Sequence, residues 1–325
     1  MIRIDGSYLE GGGQIIRGAV AFSALEGVPV EIINIRKNRQ NPGLAPQHIA
    51  AVRAVAGVCG AECTNLVPGS TDLVFTPHEL TGQDLVIDVG TAGSIALVLQ
   101  AWVPVALASG GRITVTGGTE VQKSPTIEYF DAVFCETLRR YGAGISVEVH
   151  ERGYYPRGGG RVTVHVRKTH LRPLTPDTPS APVRIFSCSS RLPAHVARRQ
   201  AAAAARRLSE LHPACIIDTR DGPSPGSSCT VVAGRKGGIA LGRRGYPAEA
   251  VGTDAADAFL DACAEPGATD RHLADQLVII LASAGGHITT ARPTDHTKTM
   301  CRLSAAFGHD ISLRERAGGI WEIAA

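Results

Sequence analysis

Several of the commonest chemical signatures are missing from this chain of 325 residues. It holds no Gly-x-x-x-x-Gly-Lys-Ser/Thr phosphate loop, and Gly11-Gly12-Gly13 does not make a dinucleotide fingerprint. Thr219-Arg220-Asp221-Gly222 lacks the lysine of the Lys-x-Asp-Gly nucleotidyl-transfer motif. Any use of ATP therefore proceeds without these signatures. The eight cysteines, at 59, 63, 135, 188, 215, 229, 263 and 301, include no Cys-x-x-Cys pair. Cys59 and Cys63 have the spacing to share a helical face, yet no histidine or further cysteine stands near to finish a zinc site, and buried free thiols are expected. A net charge of only +3 excludes a strongly basic coat for duplex DNA and permits a compact basic pocket for one nucleic-acid end. No apolar run reaches the length of a bilayer span. The longest, Ala96–Ala108, carries Gln100 and Pro104 and reads as a buried helix. Met1-Ile2-Arg3-Ile4-Asp5 has no signal-peptide pattern, so a cytoplasmic protein with no membrane partner is expected.

What the chain does contain is a weak internal repeat. An apolar helix, a small-residue turn and a β-branched strand follow one another at Gln14–Ile35, Gly93–Thr116 and Leu273–Ala291. Each is followed by a polar segment and a second helix. The first runs from Pro46 to Cys59, the second starts at Ser124-Pro125 (read as an N-cap and a first-turn proline), and the third runs from Thr294-Asp295 to Phe307. Strands then come at Ile145–His150 with Arg161–Val166, and at Asp310–Arg314 with Ile320–Ile323. The expected fold class is α+β: a large domain of three repeated β-α-β-α-β-β units, each a sheet backed by two helices, over residues 1–181 and 268–325. A small inserted α+β domain takes residues 182–267, behind a linker at Pro173–Pro179. It is expected to hold strands at Val183–Cys188, Cys215–Thr219 and Cys229–Ala233, and an arginine-bearing helix at His195–Leu211. That helix (Arg198, Arg199, Arg206, Arg207) suits contact with RNA or a solvated face.

The opening turn, Glu10-Gly11-Gly12-Gly13-Gln14-Ile15-Ile16-Arg17, places a carboxylate, three glycines, an amide and an arginine before an apolar helix. Bare backbone amides at a helix start attract anions, Glu10 suits a divalent cation and Arg17 a phosphate oxygen. A turn that simply needs glycine explains the same residues. Between Asn34 and His48, the cations Arg36, Lys37 and Arg39 gather with several amides before a helix start, which favours an anion site over a solvated loop. His296 starts the last helix at the repeat position of Gln47-His48. A helix start disfavours added positive charge and welcomes phosphate, which suits a neutral imidazole attacking phosphorus; an exposed first-turn histidine is the plainer reading. Asp275, on the preceding helix, reads either as a helix-end charge or as a group that orients a ring or a ligand amine. Gly153-Tyr154-Tyr155-Pro156-Arg157-Gly158-Gly159-Gly160 reads either as a plain glycine-rich hairpin, the default, or as a loop whose Arg157 faces a phosphate.

Taken together, Glu10–Arg17, Ile35-Arg36-x-x-Arg39 with Pro42-Gly43-Leu44, Gly90-Thr91-Ala92-Gly93-Ser94, Gly153–Gly160 and Leu273-Ala274-Asp275-Gln276 resemble the RNA 3′-terminal phosphate cyclases over essentially the full chain. The resemblance implies three repeated units with a small insertion. It implies ATP-dependent conversion of an RNA 3′-phosphate to a 2′,3′-cyclic phosphodiester, through histidine–AMP and RNA-(3′)pp(5′)A intermediates. His296 matches the nucleophile and Glu10 the metal-linked glutamate for Mg²⁺ or Mn²⁺. Gln14, Gln100, Pro125, His272 and Asp275 match nucleotide-contacting positions, and Arg17, Arg36, Arg39 and Gln47 match substrate phosphate and RNA contacts. The expected partners are ATP and RNA with a 3′-phosphate end, and a homodimer is allowed for. Met300 follows Thr299 where the family often has asparagine, and His272 stands at a frequent tyrosine position. A non-catalytic RNA-binding ribosome-assembly factor of the same fold is the alternative; relatives of that class lack the histidine.

Overall fold

The structure is a computed structural model, and it describes residues 1–325 apart from Glu10 and Pro179. The first sheet contains β1 (Ile2–Asp5), β2 (Val30–Ile33), β3 (Glu62–Thr64) and β4 (Leu73–Thr76) in the order β1-β2-β4-β3. Its first pair is parallel and the others antiparallel. Helices α1 (Gly13–Glu26) and α2 (Pro46–Cys59) connect these strands. The second sheet contains β5 (Asp84–Asp88), β6 (Gly111–Gly117), β7 (Gly144–Glu151) and β8 (Gly160–Arg167) in the order β5-β6-β8-β7, with the same alternation of directions. Helix α3 (Ile95–Ser109) makes its parallel crossover; α4 (Ile127–Tyr129), a π-helical stretch Phe130–Cys135 and α5 (Glu136–Arg140) make a second layer element.

Next come β9 (Arg184–Ser190), α6 (His195–Arg207), β10 (Ala214–Arg220), β11 (Gly226–Ala233), β12 (Lys236–Leu241) and α7 (Ala248–Ala264), with strand order β10-β9-β11-β12. The chain ends with α8 (Arg271–Ala284), β13 (His287–Thr290), α9 (Asp295–Ala306), β14 (Ser312–Glu315) and β15 (Trp321–Ala324), whose strands form a sheet in the order β13-β15-β14. Among the described residues no helix is long and apolar enough to cross a membrane.

Burial explains the layering. One core gathers Phe22, Val55, Trp102, Phe134 and Leu277 from helices, together with residues of the first, second and last sheets. A second, smaller core joins Ile185, Leu208, Val231, Val251 and Phe259, all from the 183–260 stretch. Helix α3 is apolar on every side and nearly all of it is buried, as its sequence requires.

Several expectations change. The helix expected at Ser124-Pro125 starts two residues later: the Thr126 hydroxyl accepts from the Tyr129 amide at 3.2 Å, while the Ser124 hydroxyl donates to the Val121 carbonyl at 2.8 Å. Two hydroxyl residues competed for the cap, and the one after the proline took it. The last sheet has three strands among the described residues, not a full β-α-β-α-β-β set. The segment 173–179, read as a linker, is pinned: Leu174 is buried, and its backbone exchanges hydrogen bonds with Gly285 and His287; Pro179 lies outside the described residues. Cys59 closes α2 and Cys63 sits on β3, so they share no helical face. All eight thiols are free, though Cys215 and Cys263 are exposed rather than buried. Strand β12 and helix α7 were not foreseen. On α6, Arg199 and Arg207 pair with Glu249 and Asp257 of α7, each at 2.6 Å, so these two cations face a neighbouring helix.

Candidate active site

The turn between β1 and α1 gathers the charged groups. Gly11 adopts φ +55°, a left-handed conformation that glycine takes without cost, and its amide donates to the Tyr8 carbonyl at 2.9 Å. Gly12 begins α1 with no side-chain cap and no acid in the first turn. A Cβ on Gly12 would lie 3.5 Å from Arg39 Nη2 and 3.7 Å from His296 Cε1. A Cβ on Gly13 would lie 2.1 Å from His48 Nε2 and 3.1 Å from Arg17 Nη1. Gly12 and Gly13 therefore let two arginines and two histidines close on one bare helix start.

His296 owes its position to a clamp between α8 and α9. The Thr294 hydroxyl caps α9 by accepting from the Thr297 amide at 3.1 Å. Both threonine hydroxyls donate to Asp275 Oδ1, at 2.6 and 2.5 Å. Asp275 is buried; desolvation lifts its carboxyl above the usual range, against the pull of the two threonines and of His296 and His272. Asp270 fixes the start of α8 in turn. It accepts from the His272 and Leu273 amides at 3.0 and 2.8 Å, from the Tyr129 hydroxyl at 2.7 Å and from the Gly237 amide at 3.0 Å.

A cavity of about 840 Å³ opens beside this clamp. Gln14, Arg17, Gln100, Pro125, His272, Asp275 and His296 all line it. Burial pushes the Arg17 guanidinium down to about 10, and among the described residues no carboxylate pairs with it. A desolvated cation without a counter-charge is costly unless an anion arrives. Two more polar atoms on the wall, Gln100 Nε2 and Gln276 Oε1, are buried without a partner. One is a donor and the other an acceptor, so the wall presents unmet hydrogen-bonding capacity of both kinds.

Arg36, Arg39 and Gln47 do not line this cavity. Arg39 approaches Gly12, as His296 does. Arg36 Nη1 donates to the Gly43 carbonyl at 2.9 Å and braces its own loop, and Gln47 Oε1 accepts from the Ser94 amide at 3.3 Å and ties α2 to the start of α3. Glu10 lies outside the described residues. Among the described residues no group of three or more histidines, cysteines or acids is arranged to hold a metal ion. The sequence reading missed His48 as a site residue. Its ring is buried, its Nδ1 accepts from the Ala45 amide at 3.0 Å, and burial together with Arg17 and Arg36 pushes it down to about 3. A neutral ring bonded that way carries its proton on Nε2, toward Gly13. Only its place in a polar run hinted at this; its burial left no mark in the sequence.

The crowding gives a first prediction. Gly13→Ala forces the His48 ring and the Arg17 guanidinium aside, which is expected to cost about 1–3 kcal/mol of stability. Urea unfolding reads this as a lower midpoint, accompanied by weaker nucleotide use. Wild-type behaviour on both counts would mean the two side chains do not stand where the geometry puts them.

The comparisons with known proteins agree with the motifs. The family profile described as RTC: RNA 3′-terminal phosphate cyclase matches residues 8–310. Among curated relatives, the RNA 3′-terminal phosphate cyclase of Methanosarcina barkeri is 42% identical over 99% of this chain and 99% of its own. The protein of that name from Methanococcoides burtonii is 44% identical over 94% of each chain. That of Pyrobaculum aerophilum is 43% identical over 98% of this chain and 96% of its own. Among solved structures, EPSP synthase from Acinetobacter baumannii aligns with a TM-score of 0.41 at 11% identity, over 99% of this chain and 47% of that one. With a matching profile over nearly all its length and relatives above two-fifths identity end to end, the chain belongs to the RNA 3′-terminal phosphate cyclase family.

Proposed function

We propose that this chain is a cytoplasmic, ATP-dependent RNA 3′-terminal phosphate cyclase, a ligase-class enzyme with His296 as nucleophile. The observation that carries the reading is the meeting of His296, Asp275, Gln14, Arg17 and Gln100 on one cavity. Its names come from the relatives; its chemistry comes from the side chains. ATP fits the wall on three counts: a buried cation that no carboxylate pairs among the described residues, for a phosphate, and an orphaned donor and acceptor for a base or ribose. The same reading takes the fold as three repeated units, with residues 182–267 as an inserted domain; the shared order and directions of the first two sheets support it. Mg²⁺ or Mn²⁺ belongs to the proposal as companion of the phosphates, with Glu10 as its ligand. The described residues offer no cluster for it, and no step below passes through it.

A ring nitrogen of His296 attacks the α-phosphorus. A P–N bond forms, the bond to the bridging oxygen breaks, and pyrophosphate leaves. Arg17 and the open amides of α1 offset charge on the phosphates. An oxygen of the RNA 3′-phosphate then attacks the adenylyl phosphorus, which frees the imidazole and gives RNA-(3′)pp(5′)A. The neighbouring 2′-oxygen, losing its proton, attacks the RNA phosphorus; the ring closes and AMP departs. That hydroxyl is held beside its target by the ribose itself, which gives a high effective molarity. Arg36, Arg39 and Gln47 stand off the cavity and so belong to RNA in this reading. Presence of His296 at the cavity disfavours the alternative of a non-catalytic assembly factor.

The test uses α-labelled ATP with two RNAs that differ only at the last sugar. The ribose end is expected to give a phosphatase-resistant cyclic end and free labelled AMP. The 2′-deoxy end is expected to stop with label still on the RNA, since only RNA carries the closing hydroxyl. Closure of the deoxy end, or no closure of the ribose end, contradicts the reading. Arg39→Ala should weaken use of phosphate-ended RNA roughly tenfold or more while reducing self-adenylylation less. An equal fall in both would reassign Arg39 to the nucleotide.

A further inference from the structure

The cavity has a second wall, and it comes from the stretch around β12 and α7. Ile239 and Leu241 supply an apolar surface; Arg243, Tyr246 and Asp254 follow at its rim. The Arg243 guanidinium carbon lies 4.1 Å from the centroid of the Tyr246 ring. The Tyr246 hydroxyl donates to Asp254 Oδ2 at 2.7 Å, which anchors the ring to α7. Among the described residues Arg243 forms no side-chain hydrogen bond or ion pair. A guanidinium laid on a ring has one face covered and one face open. The open face of such a plane is a stacking surface for a nucleobase.

We propose that Arg243, braced by Tyr246 and Asp254, stacks on the base of the nucleotide bound in the cavity and so makes residues 182–267 part of the nucleotide site. The inference rests on the reading under Proposed function and adds the residue that selects a purine. Three observations choose the base over the phosphates. Arg243 adjoins the apolar strip Ile239–Leu241, which suits a ring rather than an anion. Arg17, a buried cation that no carboxylate pairs among the described residues, is already placed on the cavity beside the glycine turn. Arg36, Arg39 and Gln47, assigned to RNA, lie off the cavity, whereas Gln14, Gln100, Pro125, His272 and Asp275, matched to nucleotide contacts, share its lining with Arg243, so the ligand facing Arg243 is the nucleotide.

Direct binding separates this from its rivals, with ATP, CTP and inorganic tripolyphosphate as probes in equilibrium dialysis on the full chain. Arg243→Ala is expected to weaken ATP binding roughly tenfold, CTP binding less, and tripolyphosphate binding not at all. Arg243→Lys should fail to restore ATP binding, because it keeps the charge and loses the plane. Tyr246→Leu removes the support and should reproduce part of the loss with the same preference for ATP. Equal losses for ATP and tripolyphosphate, or rescue by lysine, would make Arg243 a phosphate contact and overturn the proposal. Unchanged ATP binding by Arg243→Ala, with wild type binding normally, would overturn it while leaving the cyclase reading in place. Wild type that binds neither ATP nor tripolyphosphate would remove the cyclase reading and this inference together.

Discussion

The His296→Ala protein is expected to take up no label from α-labelled ATP and to produce no cyclic RNA end, a loss of roughly 10³-fold or more in both. The size of the effect follows from the role. A nucleophile that forms the first bond cannot be bypassed by better binding of either substrate. The fold should survive, because the start of α9 is held by Thr294, Thr297 and Asp275 rather than by the imidazole. Unfolding of the variant should therefore stay within about 1 kcal/mol of wild type. ATP binding should also persist, since Gln14, Arg17 and Gln100 remain on the wall. Loss of labelling together with loss of folding would leave His296 a structural residue. Labelling equal to wild type would place the nucleophile elsewhere.

The largest stability effect is expected at Arg152, which does not line the cavity. Its side chain is almost fully buried and meets three acidic side chains: Glu120 at 2.7 Å, Glu128 at 2.6 Å and Asp218 at 2.7 Å. Asp218 sits on β10 and Glu120 follows β6, so one guanidinium ties the 182–267 stretch to the second sheet. Arg152→Met keeps much of the volume and strands two fully desolvated acids side by side. Removing one partner of a buried ionic cluster costs about 3–5 kcal/mol, a large share of the roughly 5–15 kcal/mol that holds a domain folded. Replacing Arg199, whose pair with Glu249 is exposed, should change little. Urea unfolding of the two variants in parallel reads the contrast. The cluster also imposes a pH dependence. Burial raises Glu120 to about 8, against the pull of Arg152, so the folded chain keeps a proton that the unfolded chain releases near the ordinary value of 4.5. Its contribution is complete below that value and is lost as pH rises toward about 8. Glu120→Gln should flatten this slope; a slope that persists would assign it to another group.

The residues that carried the sequence reading were those whose chemistry is local. The α3 run was legible because an uninterrupted apolar helix has nowhere to go but the core, and α2 because its apolar residues fall at helical spacing. For the glycine turn, Arg17, Asp275 and His296, position near a helix start left a plain structural reading open beside the chemical one, and the resemblance to a family supplied their roles. What stayed hidden was long-range. Nothing in Pro46-Gln47-His48 says that the ring is buried against Gly13, since that contact joins segments thirty-five residues apart. Gln276 reads as an ordinary helix amide until its oxygen is found without a partner. Helix α7 escaped notice because its alanines and acids mark a helix face only once the arginines of α6 lie across from it. The wall at Arg243 and Tyr246 escaped for the same reason: it becomes part of a site only when β12 packs beside Tyr129 and α8.

The most direct measurement is the intact mass of the protein after incubation with ATP and a divalent cation, without RNA, followed by peptide mapping. The account predicts one added adenylyl group per chain, carried on the peptide that contains His296, lost in mild acid and discharged when 3′-phosphorylated RNA is supplied. An unchanged mass, or an adenylyl group mapped to any other side chain, would contradict it.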